Sequence, residues 1–269
     1  MKKTTLFLFF LAGIIAGQAQ DIQNFRDDKT KLYGFRDKAG KVIVEPSYNA
    51  VSYVSEGMVA VKQNGKWGFI DLQGKLVIPF QFDDANAFSE GMAAVCKYST
   101  SSQGYGIEST WGYIDRTGQL KIDYRYAFPS GFKNGYAIVS SKTGYSDSRF
   151  GVIDKTGKEI IPMKYSALEN FSEGLFLAAT GNVSSYAGKY GFIDNTGKEV
   201  IPFIYENGMG FYEGLASVQK NGKYGFINKA GAVVIPFQFD GPSYFTKGKA
   251  EVYKDGKSYF INKKGVKVG

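Results

Sequence analysis

The 269-residue sequence contains no histidine and a single cysteine, Cys96. The absence of histidine excludes Ser-His-Asp and Cys-His catalysis, and it excludes metal sites that depend on imidazole ligands. One cysteine cannot form a disulfide within the chain. Because Cys96 follows Ala93-Ala-Val95 in a predicted strand, we expect it to be a buried core residue rather than a reactive thiol.

Other motifs that carry chemistry are also missing. No glycine-rich phosphate loop connects a strand to a helix, and the turn aspartates lack the Asp-x-Asp-x-Asp-Gly spacing of a calcium loop. Paired carboxylates that hydrolyse glycosides remain open, because the chain has 25 acidic residues. The sequence therefore predicts no catalytic residue, no cofactor and no metal, and it leaves a carbohydrate-active enzyme as a remote alternative.

A long apolar run occurs only near the start of the chain. Lys2 and Lys3 precede the apolar stretch 6–16, and Gly17-Gln-Ala19 is a small-x-small cleavage site. The stretch is shorter than the roughly 18 residues that span a bilayer. We therefore interpret residues 1–20 as a signal peptide. The mature chain, without a membrane span, is expected in the periplasm or outside a bacterial cell.

Basic residues outnumber acidic ones, 33 to 25, which gives a formal net charge of +8. The surplus is spread along the chain, mostly as the lysine that follows a turn glycine. A spread charge supports solubility and is not the clustered patch of a nucleic-acid binder. No nucleic-acid partner is expected, and an unknown protein or cell-surface glycan is the expected kind of ligand.

The sequence is rich in glycine and aromatic residues, and these form a tandem repeat. The unit Lys189-Tyr-Gly-Phe-Ile-Asp-Asn-Thr-Gly-Lys-Glu-Val-Ile-Pro-Phe203 recurs from Tyr33 onwards, six times in full and once in part at Ser258-Tyr259. Residues 21–30 lie outside the repeat and are interpreted as a leader or cap, and residues 31–269 as the array. The structural signature is an aromatic residue followed by glycine, as at Trp67, Gly68, Trp111, Gly112, Tyr190, Gly191, Tyr224 and Gly225.

The sequence of each copy predicts three β-strands. A first strand ends at an Asp-x-x-Gly or Asn-x-x-Gly turn, and a second strand usually ends at proline. Counting from the turn glycine, the eighth residue is always aromatic and the fourteenth is phenylalanine or Val54, so both positions are predicted to be core. The seventeenth is always glycine. We expect Gly214→Val to cost much more stability than Gly106→Val in an insertion.

The glutamates that precede this glycine are Glu56, Glu90, Glu173 and Glu213, while Asn134 and Lys247 replace glutamate in two copies. We interpret them as turn or capping residues rather than catalytic carboxylates. A third strand follows and turns tightly into the next copy.

For the fold, the repeats of about 34–44 residues predict an all-β protein of tandem β-hairpins stacked in an open twisted array. Each unit buries its apolar face only against its neighbours. A β-propeller is the alternative, although propeller blades usually have four strands and 40 or more residues.

Three insertions interrupt the repeat at one equivalent place. Copies two, three and four carry extra residues between the third strand and the next first strand, near Tyr98 to Ser109, Thr143 to Ser148 and Gly181 to Gly188. Insertions at equivalent sites of adjacent repeats project from one side of an array. Their tyrosines stand among serine, glycine and threonine, a composition typical of binding loops. The candidate ligand-binding residues are Tyr98, Tyr105, Tyr145 and Tyr186. The alternative is a structural spacer whose loops tolerate insertion.

The array resembles the WG-repeat proteins, a family of bacterial repeat proteins called after their Trp-Gly dipeptide. The resemblance covers roughly residues 31–269 and depends on Lys66-Trp-Gly-Phe-Ile-Asp71, Thr110-Trp-Gly-Tyr-Ile-Asp115 and the following Gly-Lys-x-Val-Ile-Pro. Only two copies keep tryptophan. The resemblance implies an all-β repeat with no catalytic consensus, so it carries no active site over to this chain.

Overall fold

The computed structural model describes residues 22–100, 106–141, 148–169, 171–182 and 188–269. Every regular element in these residues is a β-strand. The strands form seven antiparallel sheets, numbered here sheet 1 to sheet 7 in chain order, and each sheet contains strands that are consecutive in sequence. This confirms the expected all-β tandem architecture.

Three sheets have three strands. Sheet 1 contains β1 (Gln23–Arg26), β2 (Tyr33–Arg36) and β3 (Val42–Tyr48). Sheet 4 contains β12 (Tyr136–Ser140), β13 (Phe150–Asp154) and β14 (Glu159–Tyr165). Sheet 7 contains β23 (Lys249–Lys254), β24 (Lys257–Asn262) and β25 (Lys267–Val268).

Four sheets have a fourth, two-residue strand that the sequence did not predict. Sheet 2 contains β4 (Ala50–Val51), β5 (Met58–Gln63), β6 (Lys66–Asp71) and β7 (Leu76–Phe82). Sheet 3 contains β8 (Asp84–Ala85), β9 (Met92–Thr100), β10 (Ile107–Asp115) and β11 (Leu120–Tyr126). Sheet 5 contains β15 (Ala167–Leu168), β16 (Phe176–Thr180), β17 (Lys189–Ile193) and β18 (Glu199–Tyr205). Sheet 6 contains β19 (Asn207–Gly208), β20 (Leu215–Lys220), β21 (Lys223–Asn228) and β22 (Val233–Phe239).

The sheets are offset from the sequence repeat. In sheet 2, β5 is the third strand of copy one, and it pairs with β6, the first strand of copy two, which in turn pairs with β7. The partial last copy likewise supplies β24 to pair with β23. Residues 23–26, within the segment interpreted as a leader or cap, form β1 and pair with β2. Sheets 2 to 7 therefore each join two successive copies of the sequence.

The hydrophobic core is divided among the junctions between neighbouring sheets. In the cluster between sheets 2 and 3, Phe69 and Ile78 of sheet 2 contact Phe88 and Val95 on the side of sheet 3. Five further clusters occupy the other five junctions in the same way. Each sheet thus buries its apolar faces only by stacking, as a repeat protein requires.

The aromatic residues predicted to be core lie in these clusters. All six residues at the eighth position are buried: Tyr48, Phe82, Tyr126, Tyr165, Tyr205 and Phe239. At the fourteenth position Phe88, Phe132, Phe211 and Phe245 are buried, and Phe171 is partly buried. The smaller Val54 is the exception, with 39% of its side chain exposed.

The stack is open rather than closed into a ring. In sheets 2 to 7, the glycine that ends the Asp-x-x-Gly or Asn-x-x-Gly turn lies against a side chain of the preceding sheet. Gly74, for example, lies against Val44. Gly40, in the first of these turns, has no atom within 4 Å of the position that a Cβ would occupy. No strand of sheet 1 pairs with a strand of sheet 7 within the described residues. The last sheet therefore does not cover the first.

The seven Asp-x-x-Gly and Asn-x-x-Gly turns have the predicted chemistry. In the turn between β6 and β7, a carboxylate oxygen of Asp71 accepts hydrogen bonds from the backbone N–H groups of Gln73 and Lys75, both at 2.9 Å. Gly74 has a φ of 82°, a left-handed conformation that glycine adopts without steric cost. All seven turn glycines have positive φ.

The glycine of the Trp-Gly dipeptide is required by a close backbone contact. Opposite Gly68, β7 contains a register shift between its pairs with Trp67 and Phe69. A Cβ on Gly68 would lie 2.7 Å from the carbonyl oxygen of Ile78. The same conflict occurs at the equivalent glycine of all six complete copies. In sheet 7, where Tyr259 replaces this glycine, β25 pairs with β24 only at residues 267 and 268.

The expected contrast between Gly106 and Gly214 is wrong. Both glycines have a φ of 88°, and neither has an atom within 4 Å of a Cβ position. The backbone cost of a β-branched residue is therefore the same at both sites. The glycines whose replacement must disturb the packed array are those of the aromatic-glycine dipeptides.

Stability should fall at low pH partly through the turn aspartates Asp115, Asp154 and Asp194. In each turn a threonine hydroxyl donates to the carboxylate at 2.6 Å, and this bond is the main reason that its pKa is lowered. Because the folded pKa lies below the unfolded value of 3.8, the stabilisation is present above about pH 4 and is lost as the pH falls. The exposure of these carboxylates keeps the effect small.

The test is the triple variant D115N/D154N/D194N. Asn228 occupies the same position in sheet 6 and accepts the same backbone N–H bonds, so asparagine preserves the turn. We expect the urea midpoint of the native chain to fall more between pH 7 and pH 2.5 than that of the variant. Parallel declines would show that these carboxylates do not contribute.

Candidate functional site

The first insertion is an extension of the hairpin formed by β9 and β10. These strands pair over nine residues, from Asp115 with Met92 to Ile107 with Thr100. The corresponding strands β20 and β21 of sheet 6 pair over six residues and turn at 221–222. The extra residues of copy two therefore lengthen an existing hairpin beyond the end of its neighbours.

The other two insertions occupy the same turn in the next two sheets. In sheet 4 the N–H of Ser141 donates to the carbonyl of Arg149, which closes the hairpin before residues 142–148. In sheet 5 the last pair before the insertion is Thr180 with Lys189. Sheets 3, 4 and 5 are consecutive, so the three hairpins leave the array at the same end of adjacent sheets.

Of the four candidate tyrosines, the structure describes Tyr98. Its side chain is 48% exposed, and it lies on the same face of the hairpin as Ile107, which is 76% exposed. That strand face also carries Met92 and Ala94, which pack towards sheet 4. Tyr98 therefore lies on the side of its hairpin that is nearer the next insertion. Tyr105, Tyr145 and Tyr186 lie outside the described residues.

A carboxylate anchors the base of the first hairpin. Asp83 accepts a hydrogen bond from the backbone N–H of Tyr98 at 2.9 Å and pairs with Lys66 at 2.5 Å. The bond from Lys66 is the main reason that the pKa of Asp83 is lowered. Asp240 holds the N–H of Asp255 in the same way in sheet 7. The base of the extended hairpin is therefore held by the same kind of hydrogen bond as the base of a short hairpin.

The repeated glutamates are turn residues that also connect successive sheets. Glu90 has a φ of 52°, so it occupies the turn position that we expected. Its carboxylate accepts backbone N–H bonds from Asn134 and Gly135 at 2.6 and 2.9 Å, and it pairs with Lys155 at 3.2 Å. Glu56, Glu173 and Glu213 make the corresponding contacts. A left-handed conformation is unfavourable for glutamate, and these contacts offset its cost.

A serine beside the glutamate makes a second connection. The hydroxyl of Ser89 donates to the carbonyl oxygen of Phe132 in the next sheet at 2.5 Å. Ser55 and Ser172 make the same bond at 2.6 Å. These bonds hold the carbonyl of the core phenylalanine, so they fix each loop against its neighbour.

The junction between sheets 4 and 5 lacks both connections within the described residues. Lys133 stands in place of the serine and Asn134 in place of the glutamate. At this junction the side-chain amide of Asn195 donates a hydrogen bond to the hydroxyl of Tyr136 at 3.2 Å. Sheet 4 also lacks the fourth short strand, since Phe128-Pro129 stands in place of the two residues of β8 or β15. Among the junctions from sheet 2 to sheet 7, this is the one at which neither connection is found within the described residues.

Restoring the missing connection should stabilise the protein. In N134E/N195K the new glutamate would accept the N–H of Gly174 and pair with the new lysine, as Glu90 does with Lys155. We expect a gain of about 1 kcal/mol, less the cost of glutamate at positive φ. The measurement is the urea midpoint, with N195K alone as the control. No gain in the double variant over the control would show that the connection is not stabilising.

A groove of about 500 Å³ opens at this junction. Its walls include the apolar side chains Phe128, Ile138, Phe150 and Leu168, with Tyr212 at one end. The polar residues along it are Ser130, Lys133, Glu169 and Ser172. The sequence alone did not reveal this groove, although the exchange of Ser-Glu for Lys133-Asn134 occurs beside it.

Glu169 is the titratable group that the groove perturbs most clearly. Water reaches the side chain along the groove, but the surrounding protein displaces enough solvent to raise the pKa of its carboxyl. No ion pair or side-chain hydrogen bond involves Glu169 or Lys133 in the parts of the chain that the structure describes. The carboxylate therefore has no compensating partner.

The remaining candidates from the sequence are the single cysteine and the acidic residues. Cys96 is buried as predicted, and burial raises the pKa of its thiol to about 11. Across the described ranges, no group of three or more acidic or cysteine side chains is arranged to hold a metal. The same residues contain no helix long and apolar enough to cross a membrane.

Three solved structures are similar to this chain at low sequence identity. The crystal structure of a eukaryotic initiation factor matches 92% of this chain and 73% of its own chain at 9% identity, with a TM-score of 0.57. An uncharacterized protein of Listeria monocytogenes matches with 14% identity over 93% of this chain and 91% of its own, but its TM-score is 0.43. An acylaminoacyl peptidase of Pyrococcus horikoshii has 10% identity, covers 92% of this chain and 49% of its own, and also has a TM-score of 0.43. The likeness to the initiation factor concerns the fold alone, and no conclusion is drawn from the other two.

No curated protein matches the sequence. A family of repeats described as "WG containing repeat" matches at residues 33–67, 67–99, 111–142, 150–182, 190–224 and 224–257. These ranges include the aromatic-glycine dipeptides whose glycine is required by the bulged second strand. The six matches cover most of the chain, and the protein belongs to the WG-repeat family.

Proposed function

We propose that this WG-repeat protein is an exported, non-catalytic binding module whose ligand is a protein or a cell-surface glycan. The observation that carries the proposal is the position of the three insertions, which leave equivalent hairpins of three consecutive sheets. Hairpins that project together from adjacent repeats can form one contact surface, and repeat proteins commonly bind through such a surface.

The chemistry of the first hairpin supports this role. Tyr98 and Ile107 are an exposed apolar pair on one face of a paired β-ribbon. A tyrosine on a paired strand presents a large contact area and loses little conformational entropy on binding. Export is the part of the proposal that depends on the signal-like residues 1–20, and it places the partner in the periplasm or outside a bacterial cell.

A structural spacer without its own ligand is the second candidate. The regular glutamate and serine connections between sheets favour it, because they hold the sheets in a fixed relation without using the insertions. A spacer would need no exposed apolar pair at the hairpin.

The two functions are separated by a capture experiment with two baits. One bait is residues 21–269, and the other is the same chain with all three hairpins shortened to the repeat length. We expect a partner from the envelope of the source cell on the first bait only. A partner that both baits retain equally would place binding elsewhere and favour the spacer.

A further inference from the structure

We propose that the groove between sheets 4 and 5 receives a lysine or arginine side chain of a partner protein. This deepens the proposed function by naming the chemistry of the partner, and it rests on that function only in assuming that the partner is a protein. The groove itself consists of described residues outside the insertion tips.

The lining of the groove fits a side chain with an apolar stem and a cationic end. Phe128, Ile138, Phe150 and Leu168 offer apolar contact to a methylene chain, and Glu169 offers an unpaired carboxylate. Lysine and arginine bury their stems against apolar surface in this way. A cation close to Phe150 would also gain from its ring face.

Glu169 is an exposed carboxylate in the groove that has no cationic partner in the described residues. The groove disfavours its charged form, and no basic side chain in the described structure pairs with it. A bound ammonium or guanidinium group would supply the missing partner, and its own stem on the apolar walls would shield part of the ion pair from water.

A glycan fits the groove less well because the hydroxyl groups are committed. The hydroxyl of Ser130 donates to the carbonyl of Gly131 at 2.9 Å and accepts the N–H of Ile138 at 2.9 Å. The hydroxyl of Ser172 donates to the carbonyl of Phe211 at 2.6 Å. A sugar needs several free donors and acceptors, and the groove leaves chiefly the two charged groups Lys133 and Glu169.

The position of the groove connects it to the proposed binding surface. Phe150 is the first residue of β13, and it pairs with Ser140 directly below the insertion of sheet 4. A partner held at the three hairpins would therefore pass the mouth of the groove. A basic side chain of that partner would then reach Glu169.

The inference is tested with the capped peptide acetyl-Gly-Lys-Gly-amide as the probe, followed by NMR of the ¹⁵N-labelled chain. We expect saturable shifts of the backbone amides of Ile138, Leu168 and Ser172. The same peptide with an acetylated lysine should produce none, because it lacks the charge. The net charge of +8 repels a basic peptide, so general electrostatic attraction does not explain saturable binding.

The decisive variant is Glu169→Gln, with Glu199→Gln as its matched control. Glu199 lies exposed on β18, outside the groove. Because the exposed Glu169 side chain makes no hydrogen bond or ion pair within the described residues, E169Q should be as stable as the native chain, so loss of binding is not loss of folding. We expect E169Q to bind the lysine peptide at least about tenfold more weakly, and E199Q to bind it like the native chain.

Two outcomes would overturn the inference. One is equal binding of the peptide by E169Q and the native chain, and the other is a pattern of shifts that does not centre on the groove. The chain with shortened hairpins separates this result from the proposed function, since it should still bind the lysine peptide. If it does so while the intact chain captures no partner, the groove site stands and the hairpin function fails.

Discussion

Replacing Gly191 by alanine should lower the free energy of unfolding by about 3 kcal/mol, a large effect for one methyl group. The added Cβ would lie 2.7 Å from the carbonyl oxygen of Ile201 and 2.9 Å from the backbone nitrogen of Phe203. Both atoms belong to the bulged strand β18, so a side-chain rotation cannot relieve the clash. The measurement is the urea midpoint at neutral pH, where the slope of the transition also reports cooperativity.

The matched control is Gly241→Ala. Gly241 has no atom within 4 Å of its Cβ position, and its backbone is not left-handed. Alanine there should change stability by less than about 1 kcal/mol, with a slight gain from the reduced entropy of the unfolded chain. Similar losses in the two variants would refute the steric explanation of the aromatic-glycine dipeptide.

The second large effect is loss of binding when the three insertions are shortened together. The strand registers define the cuts: residues 98–109, 142–148 and 181–188 are each replaced by Asn-Gly. Each hairpin then matches β20 and β21, which turn at Asn221-Gly222. Asn-Gly is the favoured dipeptide for a two-residue hairpin turn.

The shortened chain should still fold. The N–H of the first turn residue can donate to Asp83, as that of Asp255 donates to Asp240. The core clusters consist of residues below the cuts. Loop length has a weak effect on stability, so we expect a melting temperature within about 5 °C of the native value. Unfolding of the variant would instead assign the insertions a structural role.

Much of the fold could be predicted because the same residue types recur at the same offsets in six copies of the repeat. The Asp71 turn, the buried position of Phe82 and the left-handed Gly91 each follow from residue type at a fixed offset. The stacked core follows from the same periodicity, since a single hairpin cannot bury Phe69 alone. The choice of an open stack was also correct, and Gly40 shows it most directly.

The sequence predicted less about how the sheets are joined. A hydrogen-bonded sheet contains strands from two copies, and the aromatic-glycine boundary of the repeat gives no sign of that offset. The fourth strand is only two residues long, too short for a pattern of alternation to identify. The carboxylate of Glu90 contacts a backbone 44 residues away at Asn134, a distance at which residue type alone predicts nothing.

The candidate site was predicted in part for the same reason. Equal spacing identified where the insertions lie, and the structure places Tyr98 on an exposed hairpin. The groove lies at the junction that lacks the serine and the glutamate, and residue type alone gave no sign of it. The roles of the serine and the glutamate become evident only from the structure of the other junctions, so the sequence alone does not show what their absence means.

The proposed binding by the projecting hairpins of sheets 3, 4 and 5 can be tested by a comparison of affinities. The affinity of the captured partner is measured by calorimetry for the native chain and for the chain with all three hairpins shortened, at equal folded concentration. The account predicts that shortening abolishes measurable binding while the melting transition remains. Unchanged affinity in the shortened chain would contradict it.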